Sequence, residues 1–491
     1  MWLYMPSDEK YKIKDLNEWF NDIIFKAELI DIRYNLKGFT VFRPRSVFSI
    51  SKMFRLYEDK FNETGHQQVM MPALIPEENF LKESDHIEGF TPEVFWVTKH
   101  GDEDFEQKYA LRPTSETAFY YMFKYWTQSY RDLPLKTYQR ANVFRFDSKA
   151  TKPFIRGREF YWYESHNIFE TLQEAVNQVY EDMQITEDML HEEFGIPFIF
   201  FKRPQWDKFP GAVDTFAADT ILDNGRILQL PSTHLLGTKF TETFDVKFKD
   251  KDDEMKYPFG TCYGPAISRI YGGMICVHGD SLGLRIPFDL APVQIILVPL
   301  YFSDFDNTKL EAFCLDIAQD LDKLGYRVKI DDQTSKTPKE RFSEYEMKGI
   351  PIRIEIGPKD IFSGTVVIFR RDLNEKKKVD VSDIFDEIKL IESEFINNLR
   401  SQADDVFEEK IITVNNMDDL KEVIDDNLVA RVPFCSIDMD GKNCFEELKA
   451  ETKGGDIRGV RMDVKEVPEE NDVCVVCKKK AQSIVYVGKS Y

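Results

Sequence analysis

Residues 140–169 read RANVFRFDSKATKPFIRGREFYWYESHNIF, and their pattern sets the architecture of the amino-terminal half of the chain. NVFRF has the apolar and aromatic content of a strand, SKATKPFIRGR has turn and charge content, and REFYWYESH returns to strand-like alternation. The segment therefore predicts an antiparallel hairpin with a long cationic loop. Arg145, Lys149, Lys152, Arg156 and Arg158 concentrate positive charge in a chain whose formal net charge is -21. Two readings of such a loop are open. It is either a solvated surface whose arginines pair with nearby acids, or a polyanion site, because guanidinium groups hold phosphate oxygens through paired, charge-assisted hydrogen bonds. Along the return strand, Trp162, Glu164 and His166 alternate, so period-two geometry points them to one face.

Composition narrows the classes. At 491 residues the chain is too long for one core, and roughly two to four domains are expected. Apolar residues make up 42% and aromatic residues 14%, enough for sizeable cores and against intrinsic disorder. The strong acidity argues against indiscriminate coating of nucleic acid, which needs broad positive potential, but allows a nucleic-acid partner met through basic patches. No run reaches the roughly 20 apolar residues of a membrane span. The amino end, MWLYMPSDEKYK, lacks the ordered basic and apolar regions of a signal peptide. A cytoplasmic protein with no membrane partner is the expectation. Seven thinly spread cysteines do not form a disulfide framework.

Upstream of the hairpin, residues 14–30 carry Leu16, Phe20, Ile23, Ile24 and Leu29 near helical spacing. A second helix is expected over 49–64, followed by a strand ending at Pro72. In LRPTSETAFYYMFKYW (111–126), Thr114, Ser115 and Glu116 sit where a strand gives way to an aromatic helix. They are either helix caps or a hydroxyl and carboxylate placed to hold an ammonium group. Downstream, Thr171 and Glu174 form a capping box for a helix stopped by Gly195. TFAADTIL (215–222) and RILQL (226–230) pair across the DNG turn, and PSTHLLG (231–237) follows with His234 near a strand end, structural or chemical. YGPAISRIYGGMICVHGD (263–280) opens a helix beside Arg269, where either an exposed arginine or a phosphate ligand fits.

Beyond 287–292 strands and helices alternate as in a compact α/β domain, with Thr308 and Glu311 as the expected capping box of its first helix and Gly325 as its stop. The final unit carries Cys435, Cys444, Cys474 and Cys477. Two separated pairs, the second a C-x-x-C, form a tetrahedral zinc pattern, with two hairpins expected to bring the sulfurs together. Such cysteines are either a closed structural site or the remnant of one.

Taken together, LRPTSET, NVFRFDSKATKPFIRGREFYWYESH, THLLGTKFTETFDVKF, YGPAISR, VHGDSLGLRIP and the terminal VYVGKSY closely resemble the archaeal and eukaryotic type of prolyl-tRNA synthetase, in that family's order and over nearly the whole chain. The resemblance implies an α+β fold: a class II synthetase catalytic domain built on an antiparallel sheet (1–287), an α/β anticodon-binding domain (288–382) and a small zinc-binding carboxy-terminal domain (383–491). It implies ATP-dependent ligation of L-proline to tRNA(Pro) through prolyl-adenylate, with ATP accompanied by magnesium, a structural zinc ion and a homodimer in which Pro72 lies at the interface. Residue by residue, Arg145 resembles the arginine that clamps the α-phosphate and the proline carboxylate, Arg156 one that reaches the other phosphates, and Arg269 the γ-phosphate ligand. Asp147, Gln229 and Ser232 fall at ATP-contacting positions. Thr114 and Glu116 resemble the loop that binds the imino nitrogen, while Trp162, Glu164, His166 and His234 resemble the proline pocket and Phe209 its apolar wall. Cys435, Cys444, Cys474 and Cys477 are the implied zinc ligands.

The sequence departs from the family's pattern in three places. Asp147 stands where glutamate is common, QLPSTH replaces a small glycine-rich turn, and YGPAISR is one residue longer than the usual archaeal form. No large insertion separates the hairpin from YGPAISR, so an editing domain between them is not expected. Two further readings remain beside the ligase: a catalytically silent relative that binds tRNA or a protein, and a synthetase for another amino acid.

Overall fold

A computed structural model describes residues 11–79, 94–146, 150–302 and 305–491 of the protein. Helix α1 (Leu16–Lys26) is capped by Asp15 and buries Leu16, Phe20, Ile23 and Ile24, as the spacing predicts. Helix α2 (Pro44–Glu63) begins earlier than expected, because Pro44 occupies the first helical position, where its missing N–H costs nothing. The strand after it is only β1 (Gln67–Gln68), not a strand reaching Pro72, and Pro72 is exposed. A separate three-stranded sheet comprises Leu74–Pro76, Glu103–Leu111 and Trp96–His100, in that order.

The hairpin around which the catalytic half is built is formed by β2 (Leu135–Phe144) and β3 (Glu159–Phe169), antiparallel with Gln139 opposite Glu164 and Ala141 opposite Trp162. Helix α3 (Glu116–Trp126) precedes it. Helix α4 (Leu172–Glu187) follows it with the expected capping box, and Gly195 closes the segment at φ +65°. The sheet continues through β4 (Ile199–Lys202), β5 (Asp214–Ile221), β6 (Ile227–Gly237) and β7 (Phe259–Gly264), and helix α5 (Ile267–His278) packs behind it. Here the sequence reading needs correction. PSTHLLG does not lie beyond a strand that ends at Leu230; it is the second half of one long β6. Between the pairs Ala217–Ser232 and Asp219–Gln229 the register slips, leaving Leu230 and Pro231 against Ala218 alone. A bulge is where a strand tolerates proline, since no ladder N–H is needed there.

A second unit has strands β8 (Ile295–Pro299), β9 (Val328–Ile330), β10 (Ile352–Ile356), β11 (Thr365–Arg370) and β12 (Glu375–Asp380) in the order β9-β8-β10-β11-β12, with α6 (Asn307–Lys323) and α7 (Pro338–Met347) against it. The cap of α6 is Asp306, whose carboxylate accepts from the Thr308 N–H, and not the expected Thr308 with Glu311. Helix α8 (Ile384–Glu408) buries Ile384, Ile388, Ile391, Phe395 and Leu399 in this unit's core. Its far end places Phe407 against Ile199, Phe201 and Tyr486, so the helix joins the second unit to the rest.

The last unit contains β13 (Ile411–Thr413), α9 (Met417–Asp425), β14 (Val429–Phe434), α10 (Lys442–Glu451), β15 (Asp456–Arg461) and β16 (Ser483–Gly488). Its strands extend the catalytic sheet: β15 pairs with β4 through Val460–Lys202 and Arg461–Phe201. The result is one eleven-stranded sheet, β13-β14-β16-β15-β4-β5-β6-β7-β3-β2-β1.

Candidate active site

The sheet register builds one end of the site. On β3, β7, β6 and β5, His166, Cys262, His234 and Thr215 stand directly opposite one another, side by side on one face. Two residues along, Gln139 faces Glu164 and Ser232 faces Gly264. All of these except Gln139 floor a cavity of about 610 Å³. A Cβ at Gly264 would press on the Trp162 indole at 3.2 Å, so the ring would have to give by a few tenths of an ångström. Trp162 thus lies over the glycine and forms part of the wall.

Glu164 is the most heavily bound group of the floor. Its Oε2 accepts from Thr114 Oγ1 at 2.9 Å and from the Ser115 N–H at 2.8 Å, its Oε1 accepts from Gln139 Nε2 at 2.6 Å, and His166 Nε2 lies 3.4 Å away. Burial alone would raise its pKa, but His166 and the Ser115 donors outweigh burial and hold the carboxyl down at about 2. Ser115 does not cap α3 with its side chain; its hydroxyl accepts from Gln139 at 2.5 Å instead. The Thr114–Glu116 loop is thereby tied to the floor, and Glu116 enters the cavity at the start of the helix.

His234 is held at both ring nitrogens, Nδ1 2.9 Å from Thr215 Oγ1 and Nε2 3.2 Å from Ser232 Oγ. Burial first, then the nearby His166 and Arg203, push its pKa down to about 3, so the ring is neutral at pH 7. Thr215 also accepts the Phe209 N–H at 2.8 Å, setting the Phe209 ring 5.0 Å from that of His234.

The opposite end is cationic and is built from loops and a helix start. Arg145 donates through Nε to the Pro113 carbonyl at 3.0 Å, and its guanidinium lies over Phe160 and Trp162, 5.2 and 5.4 Å from the ring centres. Arg269, in the first turn of α5, donates through Nε to the Ile155 carbonyl at 2.9 Å. The hairpin loop is not a loose solvated surface. Phe154 and Ile155 are buried in the main core, and Phe154 adopts φ +63°, a conformation that only firm packing sustains in a bulky residue. Arg156, next in line, is bridged to Lys152 by two backbone hydrogen bonds of 2.8 Å.

Every candidate site residue among those described for ATP and proline lines this one cavity: Thr114, Glu116, Arg145, Arg156, Trp162, Glu164, His166, Phe209, Gln229, Ser232, His234 and Arg269. Asp147 lies outside the described residues. Sequence reasoning missed the residues that position these. Gln139 was discoverable as the cross-strand partner of Glu164 once the hairpin register was fixed. Arg203 had no such signal. It donates to Gln229 at 3.3 Å and makes a paired bridge to Asp219 at 2.9 and 2.7 Å, and Arg458 of β15 joins the same carboxylate at 2.7 Å. Burial would raise Asp219, but the two guanidinium groups outweigh it and lower its pKa.

The four cysteines of the last unit also converge, their Sγ atoms all within 4.8 Å of one another and none in a disulfide. Of the two hairpins expected from the sequence only one is found, the turn carrying Cys474 and Cys477, closed by the antiparallel bridge of Val473 with Lys480. Cys435 follows β14, Cys444 lies in the first turn of α10, and Cys474 and Cys477 come from the β15–β16 connection. Four thiols at this separation fit a tetrahedral zinc ion with small inward movements.

A sheet that is antiparallel but for its β1–β2 and β13–β14 pairs, carrying an arginine-lined pocket and followed by an α/β unit, fits a class II aminoacyl-tRNA synthetase. Residues 95–277 match the tRNA synthetase class II core domain (G, H, P, S and T), and residues 294–390 match the anticodon binding domain. Residues 417–491 match the carboxy-terminal domain of prolyl-tRNA synthetase. Proline--tRNA ligase of Thermofilum pendens is 45% identical over 98% of both chains, and that of Sulfurisphaera tokodaii 38% identical over 99% of both. Among solved structures, Giardia lamblia prolyl-tRNA synthetase in complex with prolyl-adenylate has a TM-score of 0.93 and 35% identity, covering 97% of this chain and 98% of that one. The Cryptosporidium parvum enzyme complexed with halofuginone and AMPPNP also scores 0.93, with 32% identity and 98% coverage of both. The chain belongs to the prolyl-tRNA synthetase family.

Proposed function

We propose that this pocket ligates L-proline to tRNA(Pro) in two steps. The observation that carries the reading is the convergence of three arginines and a carboxylate-lined, aromatic-walled floor in one cavity. In the first step a proline carboxylate oxygen attacks the α-phosphorus of ATP. The bond from that phosphorus to the bridging oxygen breaks, and pyrophosphate leaves. In the second, a hydroxyl of the tRNA terminal ribose attacks the prolyl carbonyl and AMP leaves. Arg145 bridges the carboxylate and the α-phosphate, while Arg156 and Arg269 neutralise the departing phosphates; positioning and charge stabilisation carry such a reaction. Gln229 and Ser232 contact the nucleotide. Magnesium bound with ATP supplies further neutralisation of the phosphates.

At the other end, Thr114 and Glu116 receive the secondary ammonium, and Trp162, Phe209, His166 and His234 enclose the ring. Glu164 acts by holding Thr114 and His166 in place. The second unit reads the anticodon, and the four cysteines hold a structural zinc ion. A homodimer is supported by an exposed apolar stretch around Pro72, with Met70 88% and Leu74 40% exposed. Among the described residues no helix is long and apolar enough to cross a membrane, in keeping with a cytoplasmic enzyme.

Proline-dependent ATP–pyrophosphate exchange tests the reading. Exchange with no amino acid overturns it, and exchange with a different amino acid alone overturns the assignment of proline. Metal analysis of purified protein should find about one zinc per chain, and a folded, metal-free protein would refute the cysteine site. Sedimentation as a monomer would refute the dimer.

A further inference from the structure

Within the cavity, one ligand atom each from Glu116, His166 and Cys262 lies within 4.8 Å of the others. They come from independent elements, the start of α3, the middle of β3 and the middle of β7. Cys262 is paired directly across the sheet with His166. A second observation points to a ligand. His166 is only 2% exposed, yet its Nδ1 is buried without a hydrogen-bond partner, while its Nε2 lies 3.4 Å from Glu164 Oε2. That is the arrangement of a metal-binding histidine, in which a carboxylate orients one ring nitrogen and leaves the other for the ion. Tyr120, its ring 6.4 Å from that of His166, is likewise fully buried with its hydroxyl lacking a partner.

We propose that Glu116, His166 and Cys262 form a site for a borderline-soft divalent cation such as Zn²⁺, and that the cation and proline exclude one another from the pocket. Mixed carboxylate, imidazole and thiolate donors select zinc or cobalt over magnesium, which prefers oxygen alone. Three protein ligands leave a fourth position open, and ligand atoms about 2.0–2.3 Å from an ion need only small inward shifts from the present spacing. Binding releases the thiol proton to solvent and leaves oxidation states unchanged. Exclusion follows from charge. The proposed function gives Glu116 to the proline ammonium, and one carboxylate cannot serve both cations in a space this small. That exclusion rests on the proposed function; the metal site itself does not.

The test titrates Co²⁺ into protein whose four carboxy-terminal cysteines already hold zinc. Bound metal should rise from about one to about two per chain, with a thiolate-to-cobalt absorption band. Cys262→Ser should abolish the band, and Cys262→Ala should bind no second ion; both variants are first checked for an unchanged melting temperature. Excess L-proline should remove the band from the unaltered protein. A stoichiometry that stays at about one or a band that persists in Cys262→Ser overturns the metal site, and a band indifferent to proline overturns the exclusion. Metal counts use neither ATP nor tRNA, so they are independent of pyrophosphate exchange, whose absence would overturn the proposed function instead.

Discussion

The two ends of the cavity are built by different means. The end proposed to take the amino acid stands on central strands, and Glu164, His234 and Thr215 have their polar atoms tied to neighbours on adjacent strands or on the α3 loop. The end proposed to take the phosphates hangs Arg145, Arg156 and Arg269 on a loop and a helix start, with two of them anchored through Nε to backbone carbonyls. Rigidity suits the first task, because excluding a smaller competitor by a missing methylene is worth only roughly 1–3 kcal/mol and needs a fixed wall. Multiple long cations suit the second, because charge moves across the triphosphate as the reaction proceeds.

That contrast can be broken most sharply at Arg145. Arg145→Ala should lower proline-dependent pyrophosphate exchange by about a hundredfold to a thousandfold with an unchanged melting temperature. A variant that exchanges almost normally would remove the phosphate clamp. At the rigid end the damage should fall on stability as well as on binding. Glu164→Gln places an amide donor where Gln139 already donates, and should destabilise by on the order of 3 kcal/mol at pH 7 while raising the KM for proline. The sign follows from the lowered pKa: the advantage of the unaltered protein is complete above the unfolded-state value of about 4.3 and disappears as pH falls through about 2. Denaturant midpoints that differ equally at all acidic pH values would refute this.

Thr215→Val should act more mildly, releasing His234 and the Phe209 N–H together. A rise in the KM for proline of about tenfold is expected, from the loss of one or two buried hydrogen bonds, with little change in kcat at saturation. A fall in kcat alone would move Thr215 to the phosphate end. The smallest effect belongs to Gly264→Ala, whose methyl presses on Trp162. A KM increase of a few-fold is expected from a contact that a slight shift relieves, and an unchanged KM would show the indole free to move.

The catalytic hairpin was legible because its alternation, its turn content and its charge agree, and Trp162, Glu164 and His166 do share the cavity face. What local pattern could not settle was whether the loop was surface. The buried Phe154 decides that, through ring contacts with Phe42 and Tyr271 far away in sequence. Likewise Pro231 reads as a strand terminator, since a proline lacks a ladder donor; only the register slip opposite Ala218 makes it compatible with one continuous strand. The support of Gln229 was hidden for a different reason. Arg203, just past the end of β4, meets Asp219 of β5 and Arg458 of β15, and a buried ion cluster has no periodicity to betray it.

The pairing of β15 with β4 also bears on how the protein comes into being. Phe201 and Arg461 are neighbours in the finished sheet, yet most of the chain lies between them. Until the last unit has left the ribosome, β4 is an open edge of apolar Ile199, Phe200 and Phe201, the kind of edge that templates association between chains. Asp219 meanwhile lacks its Arg458 partner. Closure of this sheet edge therefore waits on the last unit, and a chain cut before β15 inherits both an unsealed edge and a half-neutralised carboxylate beside Gln229.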